Sequence, residues 1–102
     1  MAWHDVGAAA DLGEDQPISA KVGDVEIGVF MLNGTVHAIE DVCPHAYALL
    51  SQGFIEGTQI ECPLHGAMFD IATGKCTREP GGRDLKVYAA KSEGGRIFVE
   101  LT

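Results

Sequence analysis

The sequence predicts a small all-β domain, a sandwich or barrel built from short antiparallel strands. Apolar runs rich in Val, Ile and Phe recur between turn signals along most of the chain. The 13 glycines are spread through the chain rather than gathered into a linker. Before Asp41 no segment keeps a convincing 3.6-residue period. The 102 residues predict one domain, residues 1–102, and exclude a large enzyme with separate cofactor and substrate domains.

The first half of the chain predicts three strands joined by two tight turns. The strands are expected at Ile18–Val22, Val25–Leu32 and Thr35–Ile39. Gly23-Asp24 separates the first two strands, and Asn33-Gly34 separates the second from the third. Asn-Gly between two apolar runs is a strong hairpin signal, because both central positions of such a turn need a positive φ.

The second half predicts further short strands around a central insertion. The strands are expected at Ile60–Cys62, Ala67–Ile71, Leu85–Lys91 and Ile97–Leu101. Only Ala46–Ser51 has a pattern that could form a turn or two of helix. The segment from about residue 41 to residue 80 is expected to be an insertion of hairpin loops within the frame of strands.

Composition argues against two classes of partner. The chain has 7 basic and 15 acidic residues, and a net charge of −8 disfavours binding to a nucleic-acid backbone. No apolar run approaches the ~18 residues of a membrane-spanning helix. No Lys or Arg precedes Lys21, so the positive start of a secretory signal is lacking. We therefore expect a cytoplasmic protein in a thiol-reducing compartment, without nucleic-acid or membrane partners.

The acidity is concentrated in one part of the chain. Residues 1–61 contain ten acidic residues and one basic residue, whereas residues 62–102 contain five acidic and six basic residues. Such an acidic surface keeps a small protein soluble, or it steers a charged protein partner during association. Both interpretations remain open from the sequence.

Two short segments each combine a cysteine with a histidine. Cys43-Pro44-His45 is followed, after sixteen residues, by Cys62-Pro63-Leu64-His65. Three cysteines in a reducing compartment are not a disulfide framework. Each segment instead offers one thiolate and one imidazole, close enough for one turn of backbone to aim both at a single inorganic target. The two segments predict a site built by two matching hairpins.

The spacing Cys-X-His, about sixteen residues, then Cys-X-X-His-Gly resembles the Rieske iron–sulfur fingerprint. The whole chain is similar to the small ferredoxins of bacterial aromatic ring-hydroxylating oxygenase systems. Shared features outside the two motifs include an N-terminal strand containing Trp3, the Asn33-Gly34 turn and the Pro80-Gly81 segment. The resemblance implies a Rieske-type antiparallel β-sandwich or barrel with an inserted cluster-binding subdomain of two hairpin loops, at about residues 41–80.

By the same resemblance the cofactor is one [2Fe–2S] cluster, and the chain is an electron carrier rather than an enzyme. Cys43 and Cys62 are expected to bind one iron, and His45 and His65 the other. Two neutral imidazoles in place of two anionic thiolates remove negative charge from the cluster. The reduction potential is therefore expected above that of an all-cysteine plant-type ferredoxin.

Within the Rieske range, the low end of reduction potentials is expected. High-potential members resemble this chain at the ligands but add a disulfide between the loops, together with Ser and Tyr hydroxyls that hydrogen-bond the cluster. The corresponding positions here are Ala48 and Leu64 for the disulfide, Ala67 for Ser and Phe69 for Tyr. Hydroxyl donors stabilise the reduced state, so their replacement lowers the potential.

The resemblance also implies two partners. A flavin-containing reductase that uses NADH or NADPH passes one electron to the cluster, and the chain delivers it to the Rieske centre of a terminal ring-hydroxylating oxygenase. An apolar docking rim around the two histidines is expected. It comprises Pro44, Ala46, Pro63, Leu64 and Gly66. The alternative is a Rieske-like small subunit of an assimilatory nitrite reductase.

Several residues keep a second interpretation. The four ligands could instead form a structural zinc site, although such sites usually pair like residues. Cys76 is expected to pack near a strand end rather than to react, and His4 and His37 are expected to be ordinary strand residues. Tyr47 could belong to the core or flank the cluster. Pro80–Gly82 breaks a strand and could also cover the third side of the cluster.

Overall fold

Short β-strands dominate the chain in the computed structural model, which describes residues 2–44, 47–64 and 66–101. The strands are β1 (Ala2–Ala8), β2 (Ile18–Val22), β3 (Val25–Leu32), β4 (Thr35–Glu40), β5 (Phe54–Glu56), β6 (Gln59–Glu61), β7 (Met68–Asp70), β8 (Cys76–Arg78), β9 (Val87–Glu93) and β10 (Arg96–Leu101). Two 3₁₀ turns cover Ala9–Asp11 and Leu50–Gln52. These three ranges contain no α-helix, and therefore no helix long and apolar enough to cross a membrane. The all-β prediction is confirmed.

Six strands form a large antiparallel sheet in the order β1-β10-β9-β4-β3-β2. Its two edge strands come together, since a Cβ on Gly7 of β1 would lie 3.6 Å from the Ile18 side chain of β2. The sheet is thus a nearly closed barrel. Its interior is filled by buried aliphatic side chains, among them Ile27, Val29 and Val99.

A smaller antiparallel sheet, in the order β5-β6-β7-β8, packs on one side of the barrel. Strand β3 serves both layers because successive side chains of a strand point to opposite faces. Ile27 and Val29 belong to the barrel core, while Phe30 and Leu32 belong to a second apolar core. The second core also contains residues of the small sheet, such as Phe69. The small sheet and the loops around it form the expected inserted subdomain.

The strand predictions hold best where a tight turn defines both ends. Strands β2 and β3 have the predicted bounds, and the turn between β3 and β4 has positive φ at Asn33 (51°) and Gly34 (80°). Strand β9 begins two residues later than expected, because the Leu85 N–H donates to the Gly74 carbonyl instead of to the sheet.

The helix considered for Ala46–Ser51 is wrong for the residues that the structure describes. Leu49 is extended (φ −84°, ψ 119°) and forms an isolated β-bridge with Val42. A single 3₁₀ turn then follows at Leu50–Gln52. The backbone of Ala48 and Leu49 instead pairs with Cys43 and Val42, which excludes an α-helix at these two residues.

Candidate metal centre

Two six-residue loops, each starting at a cysteine, share the same closing hydrogen bond. The first cysteine loop runs from Cys43 to Ala48, and the Cys43 N–H donates to the Ala48 carbonyl at 2.9 Å. The second cysteine loop runs from Cys62 to Ala67, and the Cys62 N–H donates to the Ala67 carbonyl at 2.7 Å. The two loops therefore share the closing hydrogen bond expected of a matching pair, but only the second loop is the tip of a hairpin of two strands.

The second cysteine loop is the tip of the β6–β7 hairpin. Glu61 pairs with Met68 just outside it, so the strands of the small sheet set its base. Gly66 has a φ of +76°, a conformation that favours glycine, and its N–H donates to the Cys62 carbonyl at 3.3 Å. The chain can therefore turn sharply directly after the predicted ligand pair.

The first cysteine loop is not the tip of a comparable hairpin. Its base is closed by the isolated bridge between Val42 and Leu49 and by the Leu50 N–H, which donates to the Asp41 carbonyl at 2.7 Å. The loop leaves the large sheet at the end of β4 and passes into the 3₁₀ turn. Further support has to come from side chains.

The Asp41 carboxylate supplies that support from inside the protein. Asp41 is fully buried; its Oδ1 accepts from the Ser51 N–H at 2.7 Å, and its Oδ2 accepts from the Ser51 and Ser19 hydroxyls at 2.7 and 3.2 Å. Burial raises the pKa of Asp41, against the three hydrogen bonds and together with the nearby charge of Glu26. A Cβ on Gly28 would lie 2.7 Å from Oδ1, so glycine leaves the space that the carboxylate occupies.

The two cysteines are buried, whereas part of the second loop is exposed. Cys43 and Cys62 are each 1% exposed and belong to one apolar core together with Phe69. Pro63 and Leu64 lie at the surface, with Leu64 55% exposed. A group held by the two cysteines would thus be shielded on their side, while a partner protein could approach residues 63 and 64.

Two of the four predicted ligands, His45 and His65, lie outside the described residues, as does Ala46 of the docking rim. The assignment of the complete ligand set therefore stays a prediction. One iron of a Rieske cluster takes two cysteine thiolates as ligands. Cys43 and Cys62 are buried and stand at the first position of two loops with equal closure. The described residues fit this cofactor.

Tyr47 of the first cysteine loop does not belong to the core. Its side chain is 71% exposed, and its hydroxyl donates to a Glu26 carboxylate oxygen on β3 at 2.8 Å. This hydrogen bond, together with the negative charge of Glu26, raises the pKa of Tyr47. The exposed phenol ties the loop to the large sheet.

Residues 79–85, named the third loop, pack against the small sheet. Gly81 is buried, and a Cβ there would lie 2.7 Å from the Cys76 sulfur and 2.8 Å from the Phe69 ring. Cys76 begins β8 and is partly buried against the second core, as expected. That the third loop covers the cluster stays a prediction.

The remaining sequence predictions concern strand histidines and the reduction potential. His4 lies on β1 and His37 on β4, each half-buried within its strand. Ala48, Ala67 and Phe69 are buried in the same apolar core as the two cysteines. These three side chains have no hydroxyl to donate to a sulfur, which favours a low potential.

Two side chains that support the cysteine loops are not predicted from the sequence, namely the Asp41 carboxylate and the Arg78 guanidinium. The partners of Asp41 are Ser51, ten residues away, and Ser19, 22 residues away. Arg78 donates to the Gly66 carbonyl, 12 residues away. No local spacing indicates contacts of this range. The only signal is a carboxylate directly after a buried strand, and such a signal is weak.

Comparison with known protein families matches residues 2–89 to the Rieske [2Fe-2S] domain. A curated relative is the ferredoxin component of naphthalene 1,2-dioxygenase/salicylate 5-hydroxylase systems from Ralstonia sp.. It is 36% identical over 99 residues, which cover 97% of this chain and 95% of the relative. The similarity therefore includes both cysteine loops and nearly all of the frame.

Solved structures agree with the family match. The ferredoxin of carbazole 1,9a-dioxygenase from Nocardioides aromaticivorans IC177 is 30% identical, has a TM-score of 0.91 and covers 100% of both chains. A ferredoxin from a complex of reduced oxygenase and oxidized ferredoxin in carbazole 1,9a-dioxygenase is 31% identical, with a TM-score of 0.87 over 98% of this chain and 97% of that one.

The fold is also found in a protein of another class. A chain from Mycobacterium tuberculosis, described as a small subunit of an NADH-dependent nitrite reductase, has a TM-score of 0.85 over 99% of this chain and 96% of that one. Its identity of 24% shows a shared fold alone.

Proposed function

Because this chain belongs to the Rieske [2Fe-2S] domain family, we propose that it is a one-electron carrier that serves a terminal ring-hydroxylating oxygenase. The observation that carries the proposal is the pair of buried cysteines, Cys43 and Cys62, at the same position of two loops with the same closure. The curated relative is a ferredoxin component of dioxygenase systems rather than a catalytic component, and its similarity extends over nearly the whole of both chains.

The family cofactor is a Rieske [2Fe–2S] cluster, and we assign its ligands from the sequence pattern. Cys43 and Cys62 bind one iron, and His45 and His65 bind the other. When bound, the cluster accepts one electron and gives it up again. The chain contributes a buried, apolar setting for the two thiolates, because both cysteines lie in the second core.

The two partners are a flavin-containing, NAD(P)H-dependent reductase and the terminal oxygenase. Both approach the predicted rim on the cysteine loops, where Pro63 and Leu64 are exposed. Apolar residues at the centre of a small contact can be desolvated at low cost, and a transient contact of this kind buries less than about 1,200 Å². The acidic excess of residues 1–61 supports electrostatic steering toward a basic partner surface.

We place this function in the cytoplasm. A reducing compartment keeps the three cysteines as thiols before the cluster is loaded. The nicotinamide cofactor of the proposed reductase belongs to the same compartment. Detection of the native protein in the soluble cytoplasmic fraction of its source cells checks this placement, and recovery from an oxidising compartment contradicts it.

Anaerobic purification and reconstitution test the function as a whole. The expected protein is coloured, contains iron rather than zinc, shows a Rieske EPR signal on reduction and passes electrons from a purified reductase to the naphthalene dioxygenase oxygenase. Its midpoint potential is expected below roughly +100 mV, in the lower part of the Rieske range. A colourless, zinc-loaded protein at full occupancy contradicts both the cofactor and the function.

Leu64→Glu tests the docking rim. A charge at this exposed apolar position opposes desolvation, so the electron-transfer rate to the oxygenase is expected to fall about tenfold while the visible spectrum stays unchanged. Val87→Glu is the matched control, because Val87 is also exposed but lies on β9 of the large sheet. Equal rates for Leu64→Glu and the wild-type protein contradict docking at this rim.

The alternative, a small subunit of an assimilatory nitrite reductase, rests on the shared fold alone. Stopped-flow mixing separates the two functions. The reduced protein is expected to be oxidised by the terminal oxygenase within the turnover time of that enzyme. Stable co-purification with a nitrite reductase large subunit, and no oxidation by the oxygenase, favours the alternative instead.

A further inference from the structure

The Arg78 guanidinium contacts residues near both ends of the second cysteine loop. Its Nε donates to the Gly66 carbonyl at 2.9 Å, and its Nη2 lies 3.5 Å from a Glu61 carboxylate oxygen. Glu61 directly precedes Cys62, and Gly66 directly follows His65. One side chain thus bridges the residue before the first predicted ligand of this loop and the residue after the second.

A β-bulge brings Arg78 to this position. Phe69 pairs with Cys76 in the β7–β8 ladder, yet Met68 pairs with Arg78, where a regular ladder would pair it with Thr77. A bulge re-aims the side chains of the strand that contains the extra residue. Thr77 is the extra residue of the bulge, and its hydroxyl donates to the Gln59 side-chain carbonyl on β6.

The hydrogen bond from Arg78 to the Gly66 carbonyl is the contact that restrains the conformation of the loop. Gly66 has a φ of +76°, and its N–H donates to the Cys62 carbonyl at the long distance of 3.3 Å. A glycine in this conformation restrains its peptide groups weakly. The guanidinium fixes the direction of that carbonyl, and hence the orientation of the Gly66–Ala67 peptide unit.

The ion pair by itself contributes little to folding. The side chains of Arg78 and Glu61 are 55% and 30% exposed, and exposed pairs of this kind have small stability effects. The planar guanidinium, however, presents its donors in a rigid fork, whereas the three donors of a lysine ammonium rotate at the end of a flexible stem. The geometry therefore favours a positional role over a contribution to global stability.

We propose that Arg78 is a positioning residue for the second cysteine loop, holding Glu61 and Gly66, and with them the backbone next to Cys62, in the arrangement that cluster binding requires. The inference rests on the proposed function in one respect, namely that the loop binds the [2Fe–2S] cluster. Arg78 is not a ligand. It acts through Gly66 and Glu61, as groups around a metal site often do when they orient its ligands.

The test compares the cluster-loaded wild-type protein with Arg78→Gln and Arg78→Lys. The readouts are the rate of loss of the visible absorbance in the presence of a chelator, the g values of the reduced cluster in EPR, and the thermal midpoint by circular dichroism. Both variants are expected to lose the cluster about tenfold faster than the wild-type protein and to shift the EPR spectrum. The thermal midpoint is expected to change little.

Two further variants complete the design. Glu61→Gln leaves the Arg78 bond to Gly66 in place and is expected to accelerate cluster loss by a smaller factor. Arg96→Gln is the matched control, because Arg96 also donates to a carboxylate, that of Asp5, but joins β10 to β1 of the large sheet. It is expected to behave like the wild-type protein.

Two results overturn the inference. Cluster loss and EPR spectra that are the same in Arg78→Gln and the wild-type protein exclude a positioning role. Full rescue by Arg78→Lys, with only Arg78→Gln impaired, indicates a charge effect instead of positioning. A wild-type protein that binds no cluster at all contradicts the proposed function rather than this inference, so the two failures are distinguishable. Glu61→Gln carries the test if Arg78→Gln does not fold.

Discussion

The two cysteine loops are closed by the same backbone hydrogen bond, but different side chains hold them in place. Each is closed by a hydrogen bond from the cysteine N–H to the carbonyl of the alanine five residues on. The first loop is braced from inside by the buried Asp41 carboxylate, and the second from outside by the exposed Arg78 guanidinium. The same closing hydrogen bond in the two cysteine loops thus does not require the same side-chain chemistry around them.

The difference follows from where each loop leaves the sheets. The second loop is the tip of β6–β7, whose strand pairing already sets its base, so only the turn at Gly66 needs an additional contact. The first loop joins the large sheet to the small one. Asp41 connects it to β2 through Ser19, and the Asp41 N–H connects it to β3 through the Glu26 carbonyl. Because the first loop connects the two sheets, it has to be hydrogen-bonded to strands of the large sheet.

Replacement of Asp41, the internal brace of the first cysteine loop, is expected to have the largest effect on stability. Asp41→Ala leaves the Ser51 N–H and hydroxyl without their acceptor, which lowers the free energy of unfolding by about 2–4 kcal/mol. The thermal midpoint should then fall by roughly 10–20 °C. Arg78→Ala, at an exposed site, should change the free energy of unfolding by less than about 1 kcal/mol.

Asp41→Asn is the control for this experiment. An amide keeps one acceptor oxygen, and the serine hydroxyls can rotate to accept from its NH₂ group, so most of the stability is expected to remain. Circular dichroism melts of the cluster-loaded proteins check all three variants. If Arg78→Ala destabilises the fold as much as Asp41→Ala does, the contrast between an internal and an external brace is wrong.

The frame of strands could be predicted from the sequence wherever turn chemistry is local. Gly23-Asp24 and Asn33-Gly34 delimit Val25–Leu32, and the structure has a strand with these bounds. The three-residue strands β5 and β8 are too short for an alternating pattern, although Gly53 and Gly57 flank β5. Their place depends on partners elsewhere in the chain, and β8 also contains a bulge that no residue pattern marks.

In the candidate site, likewise, one part could be predicted from the sequence and another could not. The spacing of Cys43 and Cys62 predicts two loops, and the structure shows both with the same closure. The residues that hold those loops could not be predicted. The acceptor of Ser51 is a carboxylate ten residues earlier, and the donor to Gly66 is a guanidinium 12 residues later. Such contacts arise from the packing of layers, which single-sequence patterns do not encode.

Gly81→Ala tests the packing of the third loop against the strands beside the second cysteine loop, and an intermediate effect on stability is expected. A Cβ at this position would meet the Cys76 sulfur at 2.7 Å and the Phe69 ring at 2.8 Å, so one of them has to move. Overpacking of this kind lowers the free energy of unfolding by about 1–3 kcal/mol. Gly13→Ala is the control, because its nearest contact, to Gln16, is an ordinary 3.5 Å.

The double variant Gly81→Ala/Cys76→Ala identifies the atom that opposes the new methyl group. Removal of the sulfur opens space beside the methyl group, so the double variant should recover part of the stability that Gly81→Ala loses, and thermal melts measure this coupling. If the double variant instead loses the sum of the stability lost in Gly81→Ala and in Cys76→Ala, the sulfur does not oppose the methyl group. The clash is then with the ring of Phe69 on β7.

The smallest expected effect concerns the phenol that ties the first loop to β3. The Glu26 carboxylate accepts the Tyr47 hydroxyl proton at 2.8 Å, and this bond raises the pKa of Tyr47, since it favours the protonated phenol. Glu26→Gln removes the negative charge and should lower the pKa of Tyr47 toward its ordinary value.

Tyr88 is the internal control for this titration. Its pKa is raised mainly by burial and also by the charge of Glu40, and it should be the same in Glu26→Gln as in the wild-type protein. Ultraviolet titration of the wild-type protein, Glu26→Gln and Tyr47→Phe assigns the two phenols. An unchanged titration of Tyr47 in Glu26→Gln would mean that the first loop is held by its internal carboxylate without help from its exposed side, which makes the contrast with the second loop complete.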